Sequence, residues 1–155
     1  MSPFDRPDVR HPKLNRLYDY WAGKTSPGRL PARADIDPLE MREWLGNLLL
    51  IEVAGKEFRY RLYGTEFVER FGREMTGRTI AELPAAQHRL LEAEYESACR
   101  AAHPIARIYT AQFEPSGPLL PGERPPTNSW ERLVLPLASD GTTIDMLLIG
   151  AYQLD

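Results

Sequence analysis

The 155-residue sequence contains a single cysteine, Cys99, so no disulfide can form within the chain. Metal sites built from paired cysteines are excluded by the same count, and such low cysteine usage is typical of a reducing cytoplasm. The sequence also lacks a run of about 18 apolar residues, which a membrane-spanning helix requires. Its N-terminus is polar and differs from a secretory signal peptide. We therefore expect a cytoplasmic protein with no membrane partner.

An excess of positive charge is absent as well. The formal net charge is −3 and the pI is about 5.7, whereas nonspecific nucleic-acid binding needs a basic surface. We thus expect no nucleic-acid partner. Familiar catalytic motifs are also missing: there is no Gly-x-Ser-x-Gly, no phosphate-binding Gly-rich loop and no His pair at i, i+4. These absences argue against a common hydrolytic enzyme.

Two segments before residue 48 have helical patterns. Residues 12–23 carry apolar side chains at i, i+3, i+4 and i+7, which predicts an amphipathic helix. Those side chains are Leu14, Leu17, Tyr18 and Trp21. Asp37 and Pro38 are typical of a helix start. We expect a second, short helix from there to about Gly46, with Met41 and Trp44 directed inward.

Five segments have strand patterns. Residues 48–53 are almost continuously apolar, as in a buried strand, and residues 58–63 alternate, with Tyr60 and Leu62 on one face. Further strands are predicted at residues 104–113, 130–137 and 144–152. A two-residue hairpin turn is expected at Asp140-Gly141. The proline-rich residues 115–128 indicate an extended surface loop.

Helices are predicted between the second and third strands. A short one after Gly64 carries Phe67 and Phe71, and Thr79 with Glu82 forms a capping-box pattern. A long helix follows over residues 85–103, and Pro104 ends it. Its apolar stripe is Leu91, Tyr95, Ala98 and Ala102. The Arg and Glu residues on its other faces are interpreted as solvated.

The order of these elements predicts an α+β fold with helices packed on one antiparallel sheet. Both faces of the last two strands are apolar, so the sheet needs two covers. The central helices can cover one face, and the N-terminal helix or a partner subunit must cover the other. We divide the chain into an N-terminal tail and helix, residues 1–30, and a domain, residues 31–155.

Four stretches in this order resemble the PAS domain family, and most closely its compact, stand-alone bacterial members. They are residues 30–38, 58–65, 72–78 and 130–137. The resemblance covers about residues 36–155. It implies a five-stranded antiparallel sheet in the order 2-1-5-4-3. It also implies a sensory or protein-interaction module without catalysis, often a homodimer, which would signal through a partner protein.

The resemblance implies a ligand pocket between the sheet and the helices that follow its second strand. The residues that it directs toward this pocket are Tyr60, Leu62, Phe67, Phe71, Tyr95, Trp130 and Arg132. The hydrophobic pattern alone would direct Leu133 and Leu135 inward instead, because a one-residue register change exchanges the faces of a strand. An inward Arg132 needs a partner, and Asp145, Glu131 or an anionic ligand are the candidates.

The ligand itself is not predicted. No cysteine lies between Phe67 and Leu83, so we expect no covalently bound flavin of the kind some family members carry. His88 and His103 are the candidates for a haem ligand, but their places on the long helix favour structural roles. One alternative is a small-molecule carrier or enzyme with a cone-shaped α+β pocket and a catalytic Glu131 or Asp145. Another is an assembly subunit whose pocket is filled by side chains.

Overall fold

The computed structural model describes residues 6–112, 121–122 and 127–154. In this part of the chain five strands form one antiparallel sheet, covered by helices. The elements, in chain order, are α1 (Pro12–Ala22), β1 (Leu48–Ala54), β2 (Glu57–Tyr63), α2 (Thr65–Phe71), α3 (Ala85–Ala101), β3 (Ile105–Gln112), β4 (Thr127–Leu137) and β5 (Met146–Gln153). Short 3-10 helices lie at Arg33–Asp35, Leu45–Asn47 and Ile80–Glu82.

The strand order is β2-β1-β5-β4-β3, which confirms the order predicted from the sequence. β1 pairs with β5 in the middle of the sheet, with Leu50 opposite Leu148. β4 lies between β5 and β3, and Trp130 is opposite Tyr109 of β3. The first and last strands of the chain, β1 and β5, are thus neighbours in the sheet, while β2 and β3 form its two edges.

The sheet is buried on both faces, as the apolar pattern of its last two strands predicts. α1 packs its apolar stripe on one face, where Leu133 and Leu135 join the same core. The indole Nε1 of Trp21 donates a hydrogen bond to the Pro136 carbonyl at 2.9 Å. The other face packs against α2 and α3. The N-terminal helix therefore docks on the open face of its own sheet.

Gly150 of β5 allows α1 to approach the sheet closely. A Cβ atom at this position would lie 2.6 Å from Leu17 Cδ2 and 2.7 Å from Leu14 Cδ2. Because both distances are far below van der Waals contact, any side chain here would push α1 outward. α1 shares one core with the sheet, and the division of the chain at residue 30 stays a prediction.

Two local predictions are wrong. No α-helix forms after Asp37: the backbone bonds from Met41 to Pro38 and from Trp44 to Met41 span three residues, so this segment is a series of turns. Met41 and Trp44 are nevertheless buried. The connection between β4 and β5 is longer than a two-residue turn, because the Asp140 carboxylate accepts from the amides of Thr142 and Thr143 and extends the loop. The surface loop predicted at residues 115–128 lies largely outside the described residues.

A β-bulge in β2 changes which face one predicted residue occupies. Leu50 is opposite Leu62, but the next residue of β1, Ile51, is opposite Tyr60, so Arg61 is the extra residue. Tyr60 therefore packs in the core beneath α2 and α3, while Leu62 packs on the α1 side. The strict alternation expected for residues 58–63 is wrong beyond Arg61, because the bulge reverses the faces.

Candidate functional site

A pocket of about 390 Å³ lies between the sheet and the helices α2 and α3. We call it the central pocket. Its buried wall is made by Leu49, Phe67, Leu91 and Arg132, and Tyr63 and Tyr109 lie beside them. Its exposed rim is made by Phe71, Gln87, Leu90, Arg107 and Thr110. The pocket therefore has an apolar interior and an opening to solvent, which is the usual form of a small-molecule site.

Aromatic rings form one side of the central pocket. Gly64 precedes α2, whose first turns bring Phe67 and Phe71 over the sheet. The rings of both residues lie 6.3 Å from the Trp130 ring, and the Tyr63 ring lies 5.6 Å from that of Phe67. These distances are typical of tilted aromatic pairs. Trp130 itself is buried behind the pocket wall and supports it.

Arg132 provides the buried positive charge of the central pocket. Its Nη2 donates a hydrogen bond to the Tyr95 hydroxyl at 2.9 Å and lies 3.1 Å from Glu94 Oε2. The second contact is an ion pair without hydrogen-bond alignment. Glu94 Oε1 accepts a hydrogen bond from Arg107 Nε at 2.6 Å. One carboxylate thus pairs with two guanidinium groups. The solvated role expected for Glu residues of the long helix is wrong for Glu94, because β3 and β4 enclose it.

Two buried donors on β4 lack an acceptor among the residues that the structure describes. They are Nε of Arg132 and Nε1 of Trp130, and their side chains lie on the same face of the strand. Arg132 is 6% exposed and Trp130 is 2% exposed. Buried donors in folded proteins almost always have an acceptor. An unmet donor on a residue that lines a pocket is therefore a group that a bound molecule or an ordered water would satisfy.

Burial and charge set the protonation states around Arg132. Burial raises the pKa of Glu94, but Arg132 and Arg107 lower it more strongly, so the pKa lies below its ordinary value. Burial raises the pKa of Tyr63 to about 12 and also raises the pKa of Tyr95. Near neutral pH the carboxylate is therefore ionised and both hydroxyls are neutral. Among the described residues, Arg107 and Arg132 at the pocket and their shared partner Glu94 leave one unmatched positive charge.

Most of the residues predicted for the pocket lie on its side of the sheet. Phe67, Phe71 and Arg132 line it. Tyr60, Tyr95 and Trp130 are buried in the core beside it. Leu62 is on the opposite face, because of the bulge in β2. Whether any of these residues binds a ligand stays a prediction.

The register of β4 follows the resemblance, with Trp130 and Arg132 toward the central pocket. Leu133 and Leu135 face α1 instead, so the alternative drawn from hydrophobicity alone is wrong. The two carboxylates predicted as partners of Arg132 are also wrong. Glu131 accepts hydrogen bonds from the amides of Arg10 and His11 on the α1 side. Asp145 accepts a hydrogen bond from the Ser139 hydroxyl. The partner of Arg132 is Glu94.

Several lining residues were missed by the sequence analysis, although their spacing carries a signal. Arg107 and Tyr109 are two residues apart on β3 and share a face. Gln87, Leu90 and Leu91 lie at i, i+3 and i+4 on α3, and Glu94 follows at i+7. The helical spacing alone therefore places Glu94 on the same face of α3 as Gln87, Leu90 and Leu91.

The remaining candidates lie away from the central pocket. His88 Nε2 lies 3.3 Å from Glu92 Oε2 on α3, and His103 follows the end of that helix. Cys99 is half-buried on α3, and burial raises the pKa of its thiol. Within residues 6–112, 121–122 and 127–154, no three His, Cys, Asp or Glu side chains are grouped to hold a metal ion. Over the same ranges no helix is long and apolar enough to cross a membrane.

Comparison with known proteins identifies the family. A family model described as a PAS domain matches residues 9–153, so the chain belongs to the PAS domain family. Among solved structures it is similar to a sensory box sensor histidine kinase from Vibrio cholerae. The two share 20% identity over 76% of this chain and 91% of that chain, with a TM-score of 0.46. A search of curated proteins finds no match. The family assignment rests on the match over residues 9–153.

Proposed function

We propose that this chain is a sensor that binds a small anionic molecule in the central pocket and signals through a partner protein. One observation carries the proposal. Arg132 is buried at the wall of an open pocket, and its Nε donor has no acceptor among the described residues. A carboxylate or another anionic group would satisfy that donor and the unmatched positive charge together.

β4 offers a route for the signal. Arg132 faces the central pocket, while its neighbour Glu131 faces α1 and accepts from the Arg10 amide at 2.9 Å and the His11 amide at 2.7 Å. Glu131 is 1% exposed. A shift of β4 on ligand binding would therefore act directly on the start of α1. The partner protein, in this proposal, reads the position of α1 or of the chain before it.

The alternative of a carrier or enzyme with a catalytic carboxylate has less support. Glu131 and Asp145, its candidate residues, do not line the central pocket. Glu94 lies near the pocket, but two arginines hold its pKa below the ordinary value, which makes it a weak base. We therefore favour a non-catalytic module. A cytoplasmic location and a homodimer stay predictions from the sequence.

Native mass spectrometry and a thermal-shift screen of metabolites test the proposal together. We expect at least one small molecule to raise the Tm of the wild-type protein and to add its mass to the native ion but not to the denatured ion. The same spectra report whether the protein is a dimer and whether the ligand changes that state. If no compound changes the Tm, and the native mass always equals that of the ligand-free monomer or dimer, the sensor proposal is wrong.

A further inference from the structure

The charges of the described residues around the central pocket favour a ligand with one negative charge. Among the described residues that line it, Arg107 and Arg132 are charged, and both contact Glu94. Two guanidinium groups and one carboxylate leave a single positive charge. A ligand with one negative charge neutralises this site, whereas a second negative charge would be buried without a partner and would be costly.

The planar geometry of the Arg132 guanidinium favours a carboxylate as the ligand group that binds it. Arg132 Nη2 donates to the Tyr95 hydroxyl and lies beside Glu94, while the buried Nε of the same planar guanidinium has no acceptor among the described residues. Carboxylate oxygens accept from such donors in the plane of the group. The charge-assisted hydrogen bond that would form in this buried site is among the stronger interactions available to a ligand.

The residues that line the central pocket favour a ligand with an aromatic ring. Tyr63, Phe67, Phe71 and Tyr109 line the central pocket, and the Phe67 and Phe71 rings each lie 6.3 Å from Trp130. Aromatic pairs gain stabilisation from ring geometry beyond the apolar area that they bury. The exposed rim residues Phe71 and Leu90 continue this apolar surface toward solvent.

We infer that the central pocket takes an aromatic monocarboxylate, with the carboxylate on the Arg132 guanidinium and the ring among Tyr63, Phe67 and Phe71. This inference rests on the proposed function and narrows it to one chemical class. It differs from the proposal of an anion sensor in requiring one negative charge and a π face. Neutral aromatics, aliphatic acids and dicarboxylates are each predicted to be poor ligands.

Four matched probes test the three requirements by isothermal titration calorimetry on the full chain. Phenylacetate is the reference. Phenylacetamide removes the charge, cyclohexylacetate removes the aromatic ring, and phenylmalonate adds a second carboxylate. We expect phenylacetate to bind at least tenfold more tightly than each of the other three. Equal or tighter binding of any one of them would overturn the inference, and so would failure of phenylacetate to bind.

Variants locate the site. Arg132→Met alone leaves Glu94 without its buried partner and can fail to fold, so the test uses Arg132→Met with Glu94→Gln, which removes both charges. We expect this double variant to bind phenylacetate at least tenfold more weakly and to lose the preference over phenylacetamide. Unchanged phenylacetate affinity in the folded double variant would show that the carboxylate binds elsewhere.

At the exposed rim, Leu90→Glu should weaken phenylacetate binding and Leu90→Lys should not, because only the first repels an anion.

The failure of this inference can be told from failure of the proposed function. If another class of compound raises the Tm of the wild-type protein while phenylacetate does not bind, the sensor proposal stands and the aromatic monocarboxylate is wrong. If neither the four probes nor the metabolite screen yields a binder, both are wrong.

Discussion

Glu94 of α3 and Arg132 of β4 form an ion pair with 3.1 Å between Oε2 and Nη2, and their side chains are 7% and 8% exposed. The pair joins the long helix to the sheet directly beside the central pocket. A buried pair of this kind is sensitive to loss of one partner, because the remaining charge is then left without a counter-ion away from water. It is therefore both a structural contact and the basis of the pocket's charge.

Glu94→Gln should lower the free energy of unfolding by about 3–5 kcal/mol, because it leaves the Arg132 charge buried and unpaired. Urea denaturation of the wild-type and variant proteins measures this. Arg132→Met should lower the stability by a similar amount. Since both charges are removed together, the double variant should be more stable than the sum of the two single changes predicts. Strict additivity of the two effects would contradict a direct interaction.

The stability contributed by Glu94 should depend on pH in a defined direction. Its pKa is lowered in the folded state, so its contribution is present above the unfolded pKa and is lost as the pH falls through the folded pKa. The difference in unfolding free energy between the wild type and Glu94→Gln should therefore shrink below about pH 4. Denaturation curves at a series of pH values measure it.

Other carboxylates with lowered pKa values are present in both proteins and cancel in that difference. Among the described residues they are the exposed Glu40, Glu74 and Asp140 and the partly buried Glu52. A difference that stays constant from pH 7 to the acid transition would show that folding does not shift the pKa of Glu94, which contradicts the ion pair with Arg132.

Glu131→Gln should loosen the start of α1 without affecting α3. The carboxylate accepts hydrogen bonds from the Arg10 and His11 amides at 2.9 and 2.7 Å, and an amide side chain keeps only one acceptor oxygen. Loss of about one buried charge-assisted hydrogen bond should speed hydrogen exchange of those two amides roughly tenfold or more. Unchanged exchange at Arg10 and His11 would remove the proposed link between β4 and α1.

Trp21→Ala should destabilise the protein by about 3–5 kcal/mol, because the indole is fully buried between α1 and the sheet. Trp21→Phe is the matched control: it keeps an aromatic ring but removes the hydrogen bond to the Pro136 carbonyl, and it should cost less. Thermal melting measures both, and sedimentation shows whether α1 also contributes to the predicted homodimer. A melting temperature unchanged in Trp21→Ala would mean that α1 does not stabilise the fold.

The strands of the sheet could be predicted from the sequence because their signals are local, whereas their order came from the family resemblance. The apolar run at Leu48, the alternation after Phe58 and the two-plus-three grouping of strands all lie within short segments. The docking of α1 was predicted for the same reason, from a stripe that includes Trp21 and must be covered. Such short-range patterns are reliable because the apolar residues that form them are buried together in the folded protein.

The errors arise where distant segments meet. The bulge at Arg61 depends on how β2 pairs with β1, and no alternation pattern within β2 reveals it. The burial of Glu94 depends on arginines of β3 and β4, so a charged residue on a helix was interpreted as solvated. The correct register of Arg132 came from the family resemblance and not from hydrophobicity, because both faces of β4 are buried.

The three tryptophans of the chain provide the most direct test of a ligand in the central pocket. The indole N–H groups of Trp21 and Trp44 donate to the Pro136 and Lys13 carbonyls on the α1 side. The indole N–H of Trp130 has no acceptor among the described residues. A ¹⁵N–¹H correlation spectrum resolves one signal from each, and Trp130→Phe identifies the third.

During titration with phenylacetate and with compounds that raise the Tm, we expect a saturable shift of the Trp130 indole signal. The Trp21 and Trp44 indole signals should shift less than the Trp130 signal, because the sheet separates them from the pocket and they respond only through β4 and α1. If no compound moves the Trp130 signal, or if the Trp21 or Trp44 signal moves more than the Trp130 signal, the central pocket is not the ligand site.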